Sequence, residues 1–399
     1  MNFFRITLFF TLILMEQYSA RSQQWVQANL PQMPLSSVAC SSDGSIMAVT
    51  TTFSGIYMST KSGNSWFQTS APINPWITVA MSADGVRIMA CDENDENGNL
   101  GLIYISTNSG SVWNITSAPS NHWSCLAVSA DGTKLVAGVS GGGVYRSTNS
   151  GFSWLMTSAS SNWPDDDWVS LASSADGTTL MGSSWGNVYI STNSGVSWVQ
   201  SPIQTVLLAI CSSASGQFLT AALPTSGEGM FVSTNFGANW TSIITPDQDW
   251  NAIASSADGK RMVAAGANWD NYPDVIYIST NWAQTWIPSD SPTNMWGAIS
   301  SSADGNKLIA MSENDSVQGG WIWTLQTVPS PRLNVNILAT NLELSWIIPS
   351  TNFVLQQSAD LRNWSAITNQ PYLNLTNLND EVTLPISNGD GFFRLATPK

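Results

Sequence analysis

Charged residues are scarce in this chain of 399 residues, since Asp, Glu, Lys and Arg together make up only 10% of it. The deficit is greatest for bases, with 13 Lys and Arg against 27 Asp and Glu, and the formal net charge is −14. A surface of this sign repels a phosphate backbone, so nucleic acid is not an expected partner. Neutral glycans, cations and extracellular proteins are left as ligand classes.

Histidine and cysteine are also rare, with one His and four Cys in the whole chain. His122 has no Ser or Cys nucleophile pattern around it, so a hydrolytic triad is not expected. The cysteines form no CxxC pair and no metal-ligand spacing, and we expect them to be buried free thiols. They are Cys40, Cys91, Cys125 and Cys211.

Long hydrophobic runs are missing apart from the N-terminus, so no membrane insertion is expected. There a short basic start precedes the apolar stretch Ile6–Met15, and Ala20 and Ser22 place small residues before Gln23. This pattern predicts a signal peptide over residues 1–22 and a secreted, periplasmic or cell-surface protein. A buried N-terminal strand is the alternative.

What the chain has in abundance is repetition. A Ser-x-Asp-Gly phrase followed by an apolar run recurs six times, and Ser215-Gly216 is a seventh, degenerate copy. The period, in the low forties of residues, is the length of one four-stranded propeller blade. The Asp positions of the phrase are Asp43, Asp84, Asp131, Asp176, Asp258 and Asp304.

A second phrase, patterned on Ser-Thr-x-x-Gly-x-x-Trp, follows the first six copies and divides each period into strands A to D. It ends at Trp66, Trp113, Trp154, Trp198, Trp240 and Trp286. The seventh copy lacks it after Trp321–Thr324, whereas Trp25-Val26-Gln27 resembles its closing strand. Because an open ring would leave unpaired edges, the N-terminal strand is expected to complete the last blade. The sequence thus predicts an all-β fold with a seven-bladed β-propeller over residues 23–328.

The second phrase resembles the Asp-box, or BNR, repeat of the sialidase-like propeller superfamily. Asn replaces the Asp in most copies, at Asn108, Asn149, Asn193 and Asn235, with Lys61 and Asn281 in related slots. The resemblance implies a propeller in which these boxes are structural hairpins remote from any active site. Asp-box propellers that assist photosystem II bind proteins through basic surface, and the acidic balance here argues against that role.

Sialidases of this superfamily use three arginines, a Tyr nucleophile and an acid. Arg87 and Arg261 share the phase of Lys134 and Lys307 beside the Asp-Gly turns, so they cannot converge on one carboxylate. The sequence therefore favours a non-catalytic member of the superfamily. A glycoside hydrolase that uses two loop carboxylates is the alternative, because that chemistry depends only on carboxylate spacing.

From Pro329 the repeats stop, and short apolar runs separated by turn residues predict a small β-sandwich over residues 329–399. Its core is expected around Trp346, Leu355, Trp364 and Phe393. The segment from Leu344 to Trp364 resembles fibronectin type III-like tails of exported bacterial proteins, which implies attachment or spacing.

Strand order places the A–B and C–D turns on one end of the propeller, named here the Asp-box face. The B–C and D–A loops, which differ from repeat to repeat, emerge on the opposite end, the loop face. Variable loops on a rigid framework are where binding usually resides, so a glycan or an extracellular protein is expected to bind the loop face.

Five Trp residues begin strand A near the loop face, at Trp76, Trp123, Trp168, Trp250 and Trp296. They either stack on sugar rings or wedge between neighbouring blades. Further ligand-binding candidates are Trp269, Asp165, Asp166 and Asp167 in the loops. The acidic loop with Asp92, Asp95 and Asn97 is a candidate Ca²⁺ site, and a solvated acidic loop is the alternative. No other cofactor is expected.

Overall fold

The structure is a computed structural model that describes residues 25–93, 100–159, 167–203, 205, 209–223, 229–246, 249–266, 274–313, 319–326, 333–338, 341–347, 354–358, 363–369, 371–385 and 392–396. The predicted signal peptide and Pro329 lie outside these residues. All 35 elements assigned within them are β-strands, which confirms the predicted all-β class. The same residues include no helix of the length and hydropathy needed to cross a membrane.

Each repeat folds into one antiparallel sheet with strand order A–B–C–D, and the A strands line a central channel. Blade 1 contains β2 (Leu35–Cys40), β3 (Met47–Thr51), β4 (Ile56–Ser59) and β5 (Phe67–Gln68). Blade 2 contains β6 (Trp76–Met81), β7 (Ile88–Asp92), β8 (Ile103–Ser106) and β9 (Asn114–Ile115). Blade 3 contains β10 (Trp123–Val128), β11 (Leu135–Val139), β12 (Val144–Ser147) and β13 (Leu155–Met156). Blade 4 contains β14 (Trp168–Ser173), β15 (Leu180–Ser184), β16 (Asn187–Ser191) and β17 (Val199–Gln200).

The remaining blades follow the same plan. Blade 5 contains β18 (Ala209–Ser212), β19 (Leu219–Ala222), β20 (Met230–Ser233) and β21 (Thr241–Ile243). Blade 6 contains β22 (Trp250–Ser255), β23 (Met262–Gly266), β24 (Tyr277–Ser279) and β25 (Ile287–Pro288). Blade 7 contains β26 (Met295–Ser301), β27 (Lys307–Glu313), β28 (Trp321–Gln326) and the N-terminal β1 (Trp25–Gln27).

The N-terminal strand closes the ring as predicted. Trp25 is paired with Leu325 and Gln27 with Trp323 in an antiparallel ladder, so β1 is the outermost strand of blade 7. The propeller within the described residues therefore has seven four-stranded sheets, one for each Asp-Gly phrase.

A circle of backbone hydrogen bonds joins the Asp-Gly turns around the channel. Ser42 N–H donates to the carbonyl of Ala83 at 2.8 Å, and each turn donates to the next in the same way. Ala303 N–H donates to the carbonyl of Ser42 at 2.7 Å, which closes the circle. Ala or Ser recurs at this position because a larger side chain would fill the centre of the ring.

The Asp carboxylate holds each Asp-Gly turn from within. In blade 4, Ser174 Oγ donates to Asp176 Oδ1 at 2.6 Å and Thr178 N–H donates to the same oxygen at 2.9 Å. Burial alone would raise the pKa of Asp176, but these hydrogen bonds outweigh it, and the pKa lies below its usual value. Gly177 has φ +66°, which explains the glycine of the phrase.

The Asp-box hairpins are stapled by Ser and Asn side chains. In blade 4, Ser191 Oγ accepts from Gly195 N–H at 2.9 Å, and Asn193 Oδ1 accepts from Ser197 N–H at 2.9 Å. The Asn side chain thus accepts a backbone hydrogen bond that fixes the hairpin turn. In the sixth copy Ala283 stands at the glycine position with φ +62°, fully buried beside Val232.

A C-terminal module follows the propeller and has two sheets. One contains β29 (Asn334–Leu338), β30 (Asn341–Ile347), β33 (Tyr372–Asn374) and β34 (Asn379–Pro385), and the other β31 (Val354–Ser358), β32 (Ser365–Ala366) and β35 (Phe392–Ala396). Trp346 and Leu355, from different sheets, are buried in one shared core, against which Phe393 packs. Trp364 is only half-buried. The short strands β32 and β33 were not predicted, because neither has an alternating apolar pattern.

Candidate functional site

The five Trp residues that begin strand A are buried, with at most 2% of each side chain exposed. Trp168 illustrates the reason, because its ring centroid lies 5.1 Å from that of Tyr189 and 5.8 Å from that of Trp198. A Cβ added at Gly138 of blade 3 would lie 2.8 Å from the Cβ of Trp168. The indole is thus wedged between blades and offers no free ring face. The prediction that Trp76, Trp123, Trp168, Trp250 and Trp296 stack on sugar is wrong.

Asp92, one of the predicted Ca²⁺ ligands, anchors its own loop. Its Oδ1 accepts from Leu102 N–H at 2.5 Å, and its Oδ2 accepts from the side-chain amide of Asn74. The same amide donates to Tyr104 Oη at 3.2 Å. In the part of the chain that the structure describes, no three His, Cys, Asp or Glu side chains are grouped closely enough to hold a metal ion. The other predicted loop residues lie outside that part, namely Asp95, Asn97, Asp165, Asp166 and Trp269.

Within the described residues of blade 4, Trp185 is the large aromatic side chain that the loop face presents to solvent. Ser184 pairs with Asn187, so Trp185 and Gly186 form a two-residue turn between β15 and β16. Gly186 has φ +99°, as expected for a tight hairpin turn. Trp185 is 63% exposed, in contrast to the buried Trp168 of the same blade.

Hydrogen bonds connect this turn to three polar residues at the boundary of blades 3 and 4. Trp185 N–H donates to the carbonyl of Asp167 at 3.2 Å, and Ser140 Oγ donates to Asp167 Oδ1 at 2.9 Å. Ser140 N–H in turn donates to the carbonyl of His122 at 2.9 Å. We name His122, Ser140, Asp167 and Trp185 the Trp185 patch, and all four are exposed.

The patch combines the exposed indole of Trp185 with a side-chain hydrogen bond between Ser140 and Asp167, and backbone hydrogen bonds hold Trp185 and His122 at the same blade boundary. An exposed indole stacks on apolar C–H faces or on cations, and the three polar groups can donate to or accept from hydroxyls beside it. One of its members, Asp167, belongs to the acidic run that the sequence analysis predicted to bind ligand. The arrangement is therefore suited to binding a ligand with both apolar faces and hydroxyl groups.

Sequence reasoning missed Trp185, although a signal was present. The Trp residues that begin strand A in phase with the repeat are buried, whereas Trp185 lies off that phase, in the B–C turn of its blade. Blade 3 has Gly141-Gly142-Gly143 at the same B–C turn, whereas blade 1 has Phe53-Ser54-Gly55, with Phe53 69% exposed. A bulky aromatic residue in a turn that needs only small residues is the pattern that marks Trp185 and, in blade 1, Phe53.

The basic residues beside the Asp-Gly turns lie on the Asp-box face, as predicted. Arg87 Nη1 donates to the carbonyl of Asp131 at 3.0 Å, and Lys134 Nζ donates to that of Asp176 at 2.7 Å. Each clamps the turn of the following blade. Arg261 occupies the corresponding position in blade 6, and a Cβ added at Gly305 of blade 7 would lie 2.9 Å from its Cβ.

Comparison with solved structures places the chain among β-propellers. YCF48 from Cyanidioschyzon merolae superimposes with a TM-score of 0.57 at 14% identity, over 76% of this chain and 98% of that one. A structure of YCF48 bound to D1 peptide gives a TM-score of 0.56 at 12% identity, over 76% and 97% of the two chains. The GH74 enzyme of Niastella koreensis gives 0.56 at 14% identity over 81% of this chain, which spans only 59% of that enzyme.

These similarities confirm the predicted propeller fold. No family model and no curated protein sequence matches the chain. At such identities the likeness extends to the fold alone, and fold by itself does not determine function. The Asp-box and fibronectin-like resemblances stay predictions from the sequence.

Proposed function

We propose that this protein is a non-catalytic β-propeller binding module that recognises carbohydrate through the Trp185 patch on its loop face. The observation that carries the proposal is the exposure of Trp185 beside Ser140, Asp167 and His122. All other proposed aromatic contacts within the described residues are buried between blades, so Trp185 takes over the stacking role that the sequence analysis gave to them.

Carbohydrate is favoured over other ligand classes by the chemistry of the patch. A sugar ring has an apolar C–H face for the indole and hydroxyls for the carboxylate, hydroxyl and imidazole groups. The formal net charge of −14 argues for a neutral ligand rather than an anionic one. A protein segment is the competing occupant, and the YCF48 structure with its peptide makes it the second outcome to measure.

Two described loop carboxylates accept hydrogen bonds within their own loops, which supports a binding role rather than hydrolysis. Asp92 accepts from Leu102 N–H and Asn74, and Asp274 Oδ1 accepts from Val275 N–H at 2.6 Å. These bonds fix loop conformation. The absence of a sialidase-like arginine arrangement on the loop face points in the same direction.

Export is part of the proposal, and its support is the basic and then apolar N-terminal segment that ends near Ser22. Expression with the native N-terminus in a bacterial host tests it. Recovery outside the cytoplasm of a chain that begins at or near Gln23 is the expected result, and an uncleaved cytoplasmic chain would contradict export.

The binding experiment screens the purified protein against an array of neutral oligosaccharides and quantifies the strongest ligand by calorimetry. Trp185→Ala should weaken binding at least about ten-fold, which corresponds to about 1.4 kcal/mol. Trp185→Phe keeps an aromatic ring and should retain part of the affinity. Phe152→Ala is the matched control, because Phe152 is 84% exposed but lies on the Asp-box face.

Three outcomes would contradict the proposal. Equal loss of affinity in Trp185→Ala and Phe152→Ala would show that the indole makes no specific contact. Release of reducing ends from the bound oligosaccharide would show that the protein is a hydrolase instead. If basic peptides bind and no sugar on the array competes with them, a protein partner would be favoured instead.

A further inference from the structure

The central channel has a cavity at its Asp-box end. About 170 Å³ of space is surrounded by short side chains from the Asp-Gly phrases, mainly Ser and Ala. Cys40 lines this cavity, and its Sγ lies 3.4 Å from Ser300 Oγ. Because the ring residues are so small, they cannot by themselves close the end of the channel.

Two leucines of the C-terminal module pack on this ring. Leu373 on β33 and Leu378 before β34 contact a buried cluster of four ring alanines, and Leu378 is one of the residues that line the cavity. Each of the four alanines is less than 9% exposed. They are Ala175, Ala214, Ala257 and Ala303, which come from four consecutive blades.

The turn that carries Leu378 is held in one conformation. Leu378 has φ +57°, a conformation that is strained for a non-glycine residue, and its N–H donates to the carbonyl of Asn374 at 2.7 Å. The buried Glu381 carboxylate accepts from Asn374 Nδ2 at 2.9 Å, Asn377 Nδ2 at 2.8 Å and Tyr372 Oη at 2.7 Å. A turn braced in this way presents its leucine without further ordering.

We infer that the turn between β33 and β34 is a plug that covers the Asp-box end of the channel, so that solutes do not enter the cavity directly through this end. The C-terminal module thereby makes the channel one-ended. The fit of two leucines on a ring of alanines supplies the apolar volume that the ring lacks. This inference is independent of the carbohydrate proposal.

The reactivity of Cys40 tests the plug in the full-length protein. Burial raises the pKa of the Cys40 thiol to about 12, so it should react slowly with a small alkylating reagent such as iodoacetamide at pH 8. In Leu378→Asp the Asp-box end of the channel is no longer covered, so the reagent reaches Cys40 directly through this end, and alkylation should be at least about ten-fold faster. Leu378→Ala shortens the plug without adding charge and should give a smaller increase. Peptide mass spectrometry assigns the modified cysteine.

Leu375→Asp is the matched control, because Leu375 belongs to the same turn but is exposed to solvent. Its Cys40 should react at the wild-type rate, and the buried Cys91, Cys125 and Cys211 should stay unmodified in every variant. Equal rates for Cys40 in wild type and both Leu378 variants would overturn the inference. An increase in Leu375→Asp as large as that in Leu378→Asp would overturn it as well.

Discussion

Two Trp residues of blade 4 should respond to truncation in opposite ways. Trp168→Ala removes an indole that is 1% exposed, whereas Trp185→Ala removes one that is 63% exposed. Because both residues belong to one sheet, both substitutions are measured on the same unfolding transition. The pair therefore separates aromatic residues that build the propeller from those available to a ligand.

The magnitude follows from the burial of Trp168. A buried Trp removes about 150–250 Å² from water, worth about 4–6 kcal/mol at about 25 cal/mol per Å², and truncations of buried Phe or Trp cost about 3–5 kcal/mol. The indole N–H also donates to the carbonyl of Gly142 at 3.1 Å, which contributes about 1 kcal/mol. We expect the free energy of unfolding to fall by about 4 kcal/mol in Trp168→Ala. In Trp185→Ala the change should stay within about 0.5 kcal/mol.

Urea unfolding followed by far-ultraviolet circular dichroism measures both changes, because the signal does not depend on the removed indole. With a slope of about 3 kcal/mol per M, the midpoint of Trp168→Ala should fall by about 1.3 M. A midpoint within about 0.3 M of wild type would refute the assignment of Trp168 to the interblade core. A loss in Trp185→Ala as large as that in Trp168→Ala would refute the exposed placement of Trp185.

Two further predictions concern the repeated turns. Gly237→Ala places a Cβ 2.7 Å from Ile190 Cγ1 at φ +80°, whereas Gly186→Ala meets nothing within 4 Å at φ +99°. Both should lower the free energy of unfolding through backbone strain, but Gly237→Ala by about 1–3 kcal/mol more, and equal losses in urea unfolding would contradict the clash. Asp176 has a pKa held below its unfolded value of 3.8, so its stabilising contribution is complete above that value and is lost as the pH falls through the folded pKa. The urea midpoint of Asp176→Asn should therefore fall less than that of wild type between pH 5 and pH 2.5, and parallel curves would count against this role.

The sequence by itself determined the blade and its closure. The Asp-Gly phrase specifies a turn whose carboxylate, as at Asp176, accepts hydrogen bonds from residues next to it in the chain. Such local hydrogen bonding can be predicted from a few consecutive residues. The unpaired strand at Trp25 was assigned to the last blade because a ring of sheets must end without a free edge. The first conclusion depends on short-range hydrogen bonding and the second on counting the strands of each repeat, and both were confirmed.

The tertiary structure alone decided which aromatic residues face solvent. Trp168 and Trp185 have the same side chain, and their environments differ only because blade 3 covers one and a two-residue turn projects the other. The contact of Leu378 with the channel ring was equally invisible in the sequence, since it joins Leu378 to alanines that lie 75 to 203 positions earlier in the chain, in separate sheets. The periodicity of the sequence predicts the strands and turns within each repeat. Burial between blades and packing of the C-terminal module depend on surfaces that form only once the ring has closed.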